Sequence, residues 1–488
     1  MRPQLNSADS HEQAFAQKAA ALRAMTKAVE RLLANEKRKP TKDGALTVAD
    51  ALNSLDRATA AVEYDFDRIA LRMAQESLLP PGQPFCICIA PPFAEVSPLG
   101  PTPCSPAIRV TTILAAGEAE SFQLVVVPYW EPLVDVRVEV SDLFRPNTID
   151  RFKPDQLRLW LVGSVASTST LGRAQFWPDP LTALRPFDLP ATVSQAILVD
   201  IRARKDQPAG LYEGLLTIRP QSLRPISIPL QVLVRTFALP DGLPEVTFRI
   251  RNDAIQKQFI VSATSRFTQE WQTFLSAFGF GLYRPTGPDD SAEGWLPWLD
   301  EEVSPFVGTP AIIPKVPLLV ASLPYRQTAW AAWNDQHRYD LPSFRWVVNG
   351  WVSLDSSSSE PFQLRNSPFV RNYWFGKPLE NPPGLICVNR RGEPEPTVRL
   401  VALRDGIEDF RYFALLAHKL VETKERKAAG WWKRHRWSRL LSIDPKLGDP
   451  KRASPGTFSR MVEVREKVAR AIEQAQQCLD RTEGKKKK

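Results

Sequence analysis

Between Pro80 and Pro240 the chain is cut into eight short apolar runs, at 85–89, 108–114, 121–127, 134–140, 157–162, 196–201, 212–218 and 226–237, separated by proline, glycine and polar clusters. Runs of this length bounded by turn formers predict β-strands. Eight in succession favour a β-sandwich or jelly roll over a helical bundle. The 44 prolines of the chain act in the same direction, because proline removes a ladder donor and breaks helix interiors.

Helical patterns flank this region. Leu52, Leu55, Thr59, Val62, Phe66, Ile69 and Met73 alternate at spacings of three and four, the seam of a helix packed on a neighbour. Phe15, Leu22, Met25, Val29 and Leu32 or Leu33 supply that neighbour, and a break at 39–44 turns the chain between them. The expectation is an antiparallel helical hairpin over residues 8–78, which covers part of the main body or joins copies into a homo-oligomer. At the other end Phe458, Met461, Val464 or Arg465, Val468, Ile472, Ala475 and Leu479 describe an amphipathic helix.

The densest charge pattern lies at 399–416, where Arg404, Asp405, Glu408 and Asp409 crowd an apolar helical stripe of Ile407, Phe410, Phe413 or Ala414, and Ala417. A helix start with surface ion pairs is one reading. A buried or half-buried ion-pair lattice pinning the helix to its domain is the other.

The string Arg399 to Leu416 resembles the LRDGIEDYEYL signature that closes the catalytic domain of glycoside hydrolase family 123, typified by β-N-acetylgalactosaminidases, with Phe410 in place of a tyrosine and Val401 where a glutamate is expected. Upstream, 117–123 is similar to that family's GExExFQ strand, 177–181 to its PDPL loop, 208–218 to its paGxYxGxvxv hairpin and 237–240 to the exit into the next domain. The resemblance spans residues 107–420 and implies a multidomain α+β architecture. With the helical patterns read at either end, the expected parts are a helical hairpin (1–79), a β-sandwich domain (80–240), a (β/α) barrel (241–423) and a basic helical extension (424–488). The barrel would be shortened or degenerate, since a complete one takes about 250 residues and rarely fewer than about 200. Within it, 268–278 reads as a helix feeding a short strand at 281–283, and 328–333 as a helix before a strand at 344–348.

The resemblance also implies a chemistry, the substrate-assisted hydrolysis of N-acetylhexosaminides. There an aspartate orients the acetamido group while the adjacent glutamate protonates the leaving oxygen. Asp300 and Glu301 are the Asp-Glu pair that matches, followed by Glu302 and preceded by Trp295 to Leu299. Neighbouring carboxylates suit this work because burial and mutual repulsion separate their pKa values; a surface acidic loop is the other reading. The string 344–351 is similar to the family's GxLYWxxNxW strand, which makes Trp346, Asn349 and Trp351 pocket lining, with Tyr373 and Trp374 next. Core packing is the competing role for these rings. The alternative to an enzyme is a non-catalytic carbohydrate-binding or structural protein on the same scaffold, a pseudoenzyme.

Other chemistries find little support. No P-loop, Gly-x-Gly-x-x-Gly, HExxH or Gly-x-Ser-x-Gly string occurs, and His337 and His418 stand without catalytic partners. No cofactor and no metal site are expected. The cysteines at 86, 88, 104, 387 and 478 are sparse and odd in number, so core thiols are expected in place of a disulfide framework. The formal charge is +9, with a basic, tryptophan-rich stretch at 424–452 and a lysine tail. A solvated face is the expectation there; nucleic acid is not expected as a partner, for no recognition fold accompanies the charge. No apolar signal segment or membrane span is visible, so a cytoplasmic location is the expectation, a secreted form without its leader being the alternative.

Overall fold

The computed structural model describes residues 4–38, 40–78, 83–94, 96–98, 102–168, 174–191, 193–241, 245–249, 265–282, 326–327, 330, 345–349, 352–353, 386–388, 394–449, 452 and 454–486. Two helices of 35 residues each, α1 (Gln4–Arg38) and α2 (Lys42–Glu76), open the chain. Thr41 caps α2 by accepting from the Gly44 amide, which satisfies one of the amides that a helix start leaves bare. The end of α2 is bonded to the body. Tyr64 donates to the Ala191 carbonyl at 3.0 Å, and Arg68 to Ser194 Oγ at 3.0 Å. The Gln75 amide donates to the Phe85 carbonyl and accepts from the Ile87 amide, as a neighbouring strand would.

The body holds two facing sheets. The first runs β2-β1-β4-β9-β6-β7 and is built from β1 (Phe85–Ala90), β2 (Ser105–Pro106), β4 (Ala119–Pro128), β6 (Leu157–Thr168), β7 (Ala174–Ala183) and β9 (Gln195–Arg202). The second runs β3-β11-β10-β5-β8, from β3 (Val110–Ala116), β5 (Leu133–Val140), β8 (Phe187–Leu189), β10 (Gly210–Arg219) and β11 (Ile226–Ala238). Period-2 alternation explains their packing. On β11, Ile226, Ile228, Leu230, Val232 and Val234 are buried while their intervening neighbours are mostly exposed, the pattern of a sheet wetted on one side. Phe85, Ile87, Leu124, Val126, Ile197 and Val199 of the first sheet meet these residues in one core.

The strands β1, β4 and β9 are buried on both faces, because a third layer covers their other side. Cys86, Cys88, Val125, Val127, Ala196 and Leu198 pack there against Trp271 and Leu275 of α3 (Ser265–Ala277), against Phe278 just beyond it, and against Leu400, Val401, Leu403 and Ile407 of α4 (Val398–Glu425). A further core joins the second half of α4 to α5 (Trp431–Ser438) and α6 (Pro455–Lys486) through Phe413, Leu416, Trp437, Met461, Val468 and Ile472.

The interval 241–423 contributes two small sheets among the described residues. In β13-β12-β14, the strand β12 (Glu245–Arg249) lies parallel to both β13 (Gly281–Leu282) and β14 (Arg345–Asn349). The second is β15-β16-β17, made of β15 (Val352–Ser353), β16 (Ile386–Val388) and β17 (Pro394–Pro396). The order β12, α3, β13 is a βαβ crossover between adjacent parallel strands. A closed barrel is not formed by the described residues.

Two expectations need correction. The segment 177–181, likened above to a PDPL loop, lies within the strand β7 (Ala174–Ala183). It lies at the edge of its sheet, where proline's missing donor leaves no ladder bond unmade. Cys88 and Cys104 are disulfide-bonded, 16 residues apart with Cα atoms 5.5 Å from one another. Pairing of β1 with β2 sets Cys88 opposite Pro106 and so brings Cys104 beside it. Cys86 remains a core thiol, its pKa pushed up to about 12 by burial.

Gly214 on β10 tests the tightness of this packing. A Cβ there would lie 2.6 Å from Leu143 Cδ2 and 2.9 Å from the Asp142 carbonyl. Gly214→Ala is therefore expected to lower stability by about 1–3 kcal/mol, measured as a shift of the urea midpoint.

Candidate functional site

Thr397 starts α4 by accepting from the Leu400 amide at 3.1 Å. From Val398 to Phe410 every residue of this helix is buried, so its charged side chains must find partners inside the protein. Arg399, at the first turn, makes a bidentate bond to Asp179 with Nη2 at 2.7 Å and Nε at 3.0 Å. Asp179 belongs to the proline-flanked edge strand β7, which touches the helix start through the Pro180–Thr397 bridge.

One turn further, Arg404 reaches the first sheet. It donates to Asp200 Oδ1 on β9 at 2.8 Å and to Ser121 Oγ on β4 at 3.0 Å, and it holds Asp405 Oδ1 through Nε and Nη2 at 3.1 and 2.9 Å. Ser121 in turn donates to Asp200 at 2.7 Å. Glu408 accepts from the Ala119 amide at 3.1 Å and lies 4.0 Å from Arg404. Asp409 accepts from Arg326 Nε at 2.7 Å and from Trp330 Nε1 at 2.8 Å. Arg326 also stands 3.7 Å from Asp405. Arg465 of α6 completes the chain, pairing with Glu120 at 2.8 Å and Glu118 at 3.3 Å and lying 3.7 Å from Asp409. Tyr412 donates to Glu118 at 2.5 Å.

Asp200, Arg404, Asp405, Glu408, Arg326, Asp409, Arg465, Glu118 and Glu120 thus form one continuous lattice in which three arginines serve six carboxylates. Burial without full compensation favours the neutral form. Burial raises Glu408 from its ordinary 4.5 to about 8, Glu118 to about 7 and Asp405 from 3.8 to about 7. Glu408 is raised furthest of the three, because among the described residues its Oε2 is buried with no hydrogen-bond partner and Arg404 stands no closer than 4.0 Å. The lattice clamps five separate stretches of chain together, at 118–120, 200, 326, 404–409 and 465, and its fully buried members are closed to a dissolved substrate.

The candidate ligand-binding residues fall elsewhere. Trp346 and Asn349 lie on β14, in register with Val246 and Arg249 of β12, and Asn349 ends the strand. Asp300, Glu301, Trp351, Tyr373 and Trp374 lie outside the described residues. Val401, at the position where a glutamate was expected, is 1 % exposed within the apolar layer. Among the described residues no cluster of three or more His, Cys, Asp or Glu side chains could hold a metal ion. The Arg399 partner Asp179 and the lattice members Glu118, Glu120, Asp200, Arg326 and Arg465 were not anticipated. For the first three a signal existed, since they are the acidic residues of the 177–181 and 117–123 strings; Arg326 and Arg465 carry no such local mark.

Two outcomes follow. Arg404→Met should cost about 3–5 kcal/mol, because it strands buried carboxylates; chemical denaturation measures the loss. Folding raises Glu408 above its unfolded value, so the native chain holds a proton that the unfolded chain releases, and this contribution to stability is lost as pH rises from about 4.5 through about 8. Glu408→Gln, which mimics the protonated group, should therefore gain stability relative to the parent on going from pH 5.5 to 8.5. A gap that does not change with pH would refute the assignment.

The sequence matches no family model and no curated protein. Among solved structures, the fold is similar to that of a family 123 glycoside hydrolase from Clostridium perfringens, studied for glycolipid glycan hydrolysis; the TM-score is 0.52 at 10% identity, over 82% of this chain and 100% of that one. AvmM, which catalyses macrocyclization in alchivemycin A biosynthesis, aligns over 28% of this chain and 89% of its own with a TM-score of 0.18 and 11% identity. The sporulation control protein Spo0M from Bacillus subtilis aligns over 32% and 51% with a TM-score of 0.16 and 7% identity. Scores that low carry no weight, and at 10% identity the likeness to the family 123 enzyme is a likeness of fold.

Proposed function

We propose that the chain is a glycoside-hydrolase-like protein that binds N-acetylhexosaminides and hydrolyses them with assistance from the substrate's own acetamido group. The observation that carries this reading is the extent of the fold likeness, in which the whole of a family 123 enzyme is matched by 82% of this chain. The parallel sheet β13-β12-β14 adds support. In parallel α/β architectures ligands bind beyond the carboxyl ends of the strands, and Asn349 stands at that end of β14.

In this reading Asp300 orients and stabilises the acetamido group, whose oxygen attacks the anomeric carbon, while Glu301 gives its proton to the departing glycosidic oxygen. Water, deprotonated by the same Glu301 carboxylate, then opens the cyclic intermediate. Trp346, Trp351 and Trp374 offer flat apolar rings to the sugar face, with Asn349 and Tyr373 supplying polar contacts. The lattice around Arg404 holds the frame and takes no part in the chemistry.

Glu301→Gln should lower kcat on an aryl N-acetyl-β-galactosaminide by about 10²-fold or more while leaving the Kd for N-acetylgalactosamine within about twofold, by calorimetry. Unchanged turnover would remove Glu301 from the acid/base role. A parent protein that binds the sugar without turnover would place the chain with non-catalytic carbohydrate-binding proteins. Failure of the parent to do either would overturn the sugar-directed reading.

A further inference from the structure

Helix α5 presents two tryptophans to solvent. Trp431 is 59% and Trp432 77% exposed, whereas Trp437 on the same helix is 4% exposed. The buried ring fastens the helix, with Nε1 donating to Gln474 of α6 at 3.2 Å. Arg434 adds a bond from its guanidinium to the Ala429 carbonyl. The exposed pair is thus carried on a fixed support, where large apolar rings held mostly in water mark a surface for an occupant.

The surroundings of the pair are cationic. Lys424, Lys427, Lys433, Arg436 and Arg439 are all exposed, and none is paired with a carboxylate among the described residues. Arg426 is the exception nearby, engaged by Glu422 and Glu483. Over 421–446 eight lysines and arginines face three acids. Trp432 and Arg436 are four positions apart, so they share one helical face.

We infer that the Trp431–Trp432 surface of α5 and its surrounding lysines and arginines dock the protein on an anionic lipid bilayer. Indole rings partition to the headgroup boundary, and each lysine or arginine near an anionic surface adds about fivefold to affinity. Ring geometry favours lipid over nucleic acid. Trp431 is stacked on His435 with ring centroids 5.0 Å apart and planes within 5°, and it meets Trp432 edge-on at 4.8 Å and 72°. One face of Trp431 is therefore already covered, whereas a base-stacking platform needs open ring faces; a compact wedge of two crossed indoles suits insertion between headgroups. No described helix is long and apolar enough to cross a membrane, so the association would be peripheral.

The test is cosedimentation of the full chain with vesicles of phosphatidylcholine alone and with about one third phosphatidylglycerol, with tryptophan emission read in parallel. Binding is expected only to the anionic vesicles, with a blue shift, and should weaken at least about tenfold at 0.5 M salt. Trp431→Ser/Trp432→Ser should abolish the blue shift. Lys433→Glu/Arg436→Glu should weaken binding about tenfold or more. Both variants alter exposed positions, so their melting temperatures should match the parent's. Equal binding to neutral vesicles, no binding of the parent to either kind, or preference for a DNA duplex or heparin over anionic vesicles would each overturn the inference. So would retention of full binding by both double variants.

Discussion

The contact of Arg404 with Asp200, Ser121 and Asp405 is the point at which the layers of this protein are tied together. Apolar burial drives the helix α4 onto the first sheet but does not choose its rotation, because the first half of the helix is buried all round. Directional bonds make that choice. Arg399 fixes the first turn to β7, Arg404 the next to β4 and β9, and Asp409 the following one to Arg326 and Trp330. A slip by one residue would carry every one of these side chains about 100° away from its partner and leave charges buried alone.

Such a lattice adds little net stability, since desolvating its members offsets most of their mutual attraction. Its effect is on tolerance. A buried leucine can be exchanged for methionine or isoleucine at small cost, but no single change at Arg404 keeps Asp200, Asp405 and Ser121 satisfied. Among the described residues three arginines lie within 4.0 Å of the six carboxylates, and burial favours the protonated form at Glu408, Asp405 and Glu118.

The strands, the hairpin and the terminal helices could be read from the chain because their periodicities are local. Ile226 to Val234 alternate, and Phe458 to Leu479 recur at helical spacing. The strand β7 escaped this reading because Pro178 and Pro180 carry the local signature of a loop, and its edge position is a property of the assembled sheet. The Cys88–Cys104 bridge escaped for a similar reason, since strand pairing rather than sequence spacing brings the two together. Arg404, Asp405, Glu408 and Asp409 stood out as a cluster, yet the other lattice members at 118, 120, 200, 326 and 465 lie between 56 and 291 residues from the members of that cluster. Of the ligand-binding candidates, only Trp346 and Asn349 fall on a described strand.

The strings by which this chain resembles family 123 are also the strings that touch one another. Glu118, Glu120 and Ser121 come from 117–123, Asp179 from 177–181, and Arg399 to Asp409 from the closing helix. This offers a physical account of how a fold likeness at 10% identity can accompany recognisable local strings. Many apolar side chains can fill the same buried volume, while a buried charge is constrained by every partner it has. The same reasoning limits what those strings imply about activity. Their side chains bond to one another within the fold, so chemistry must be sought in residues outside the lattice.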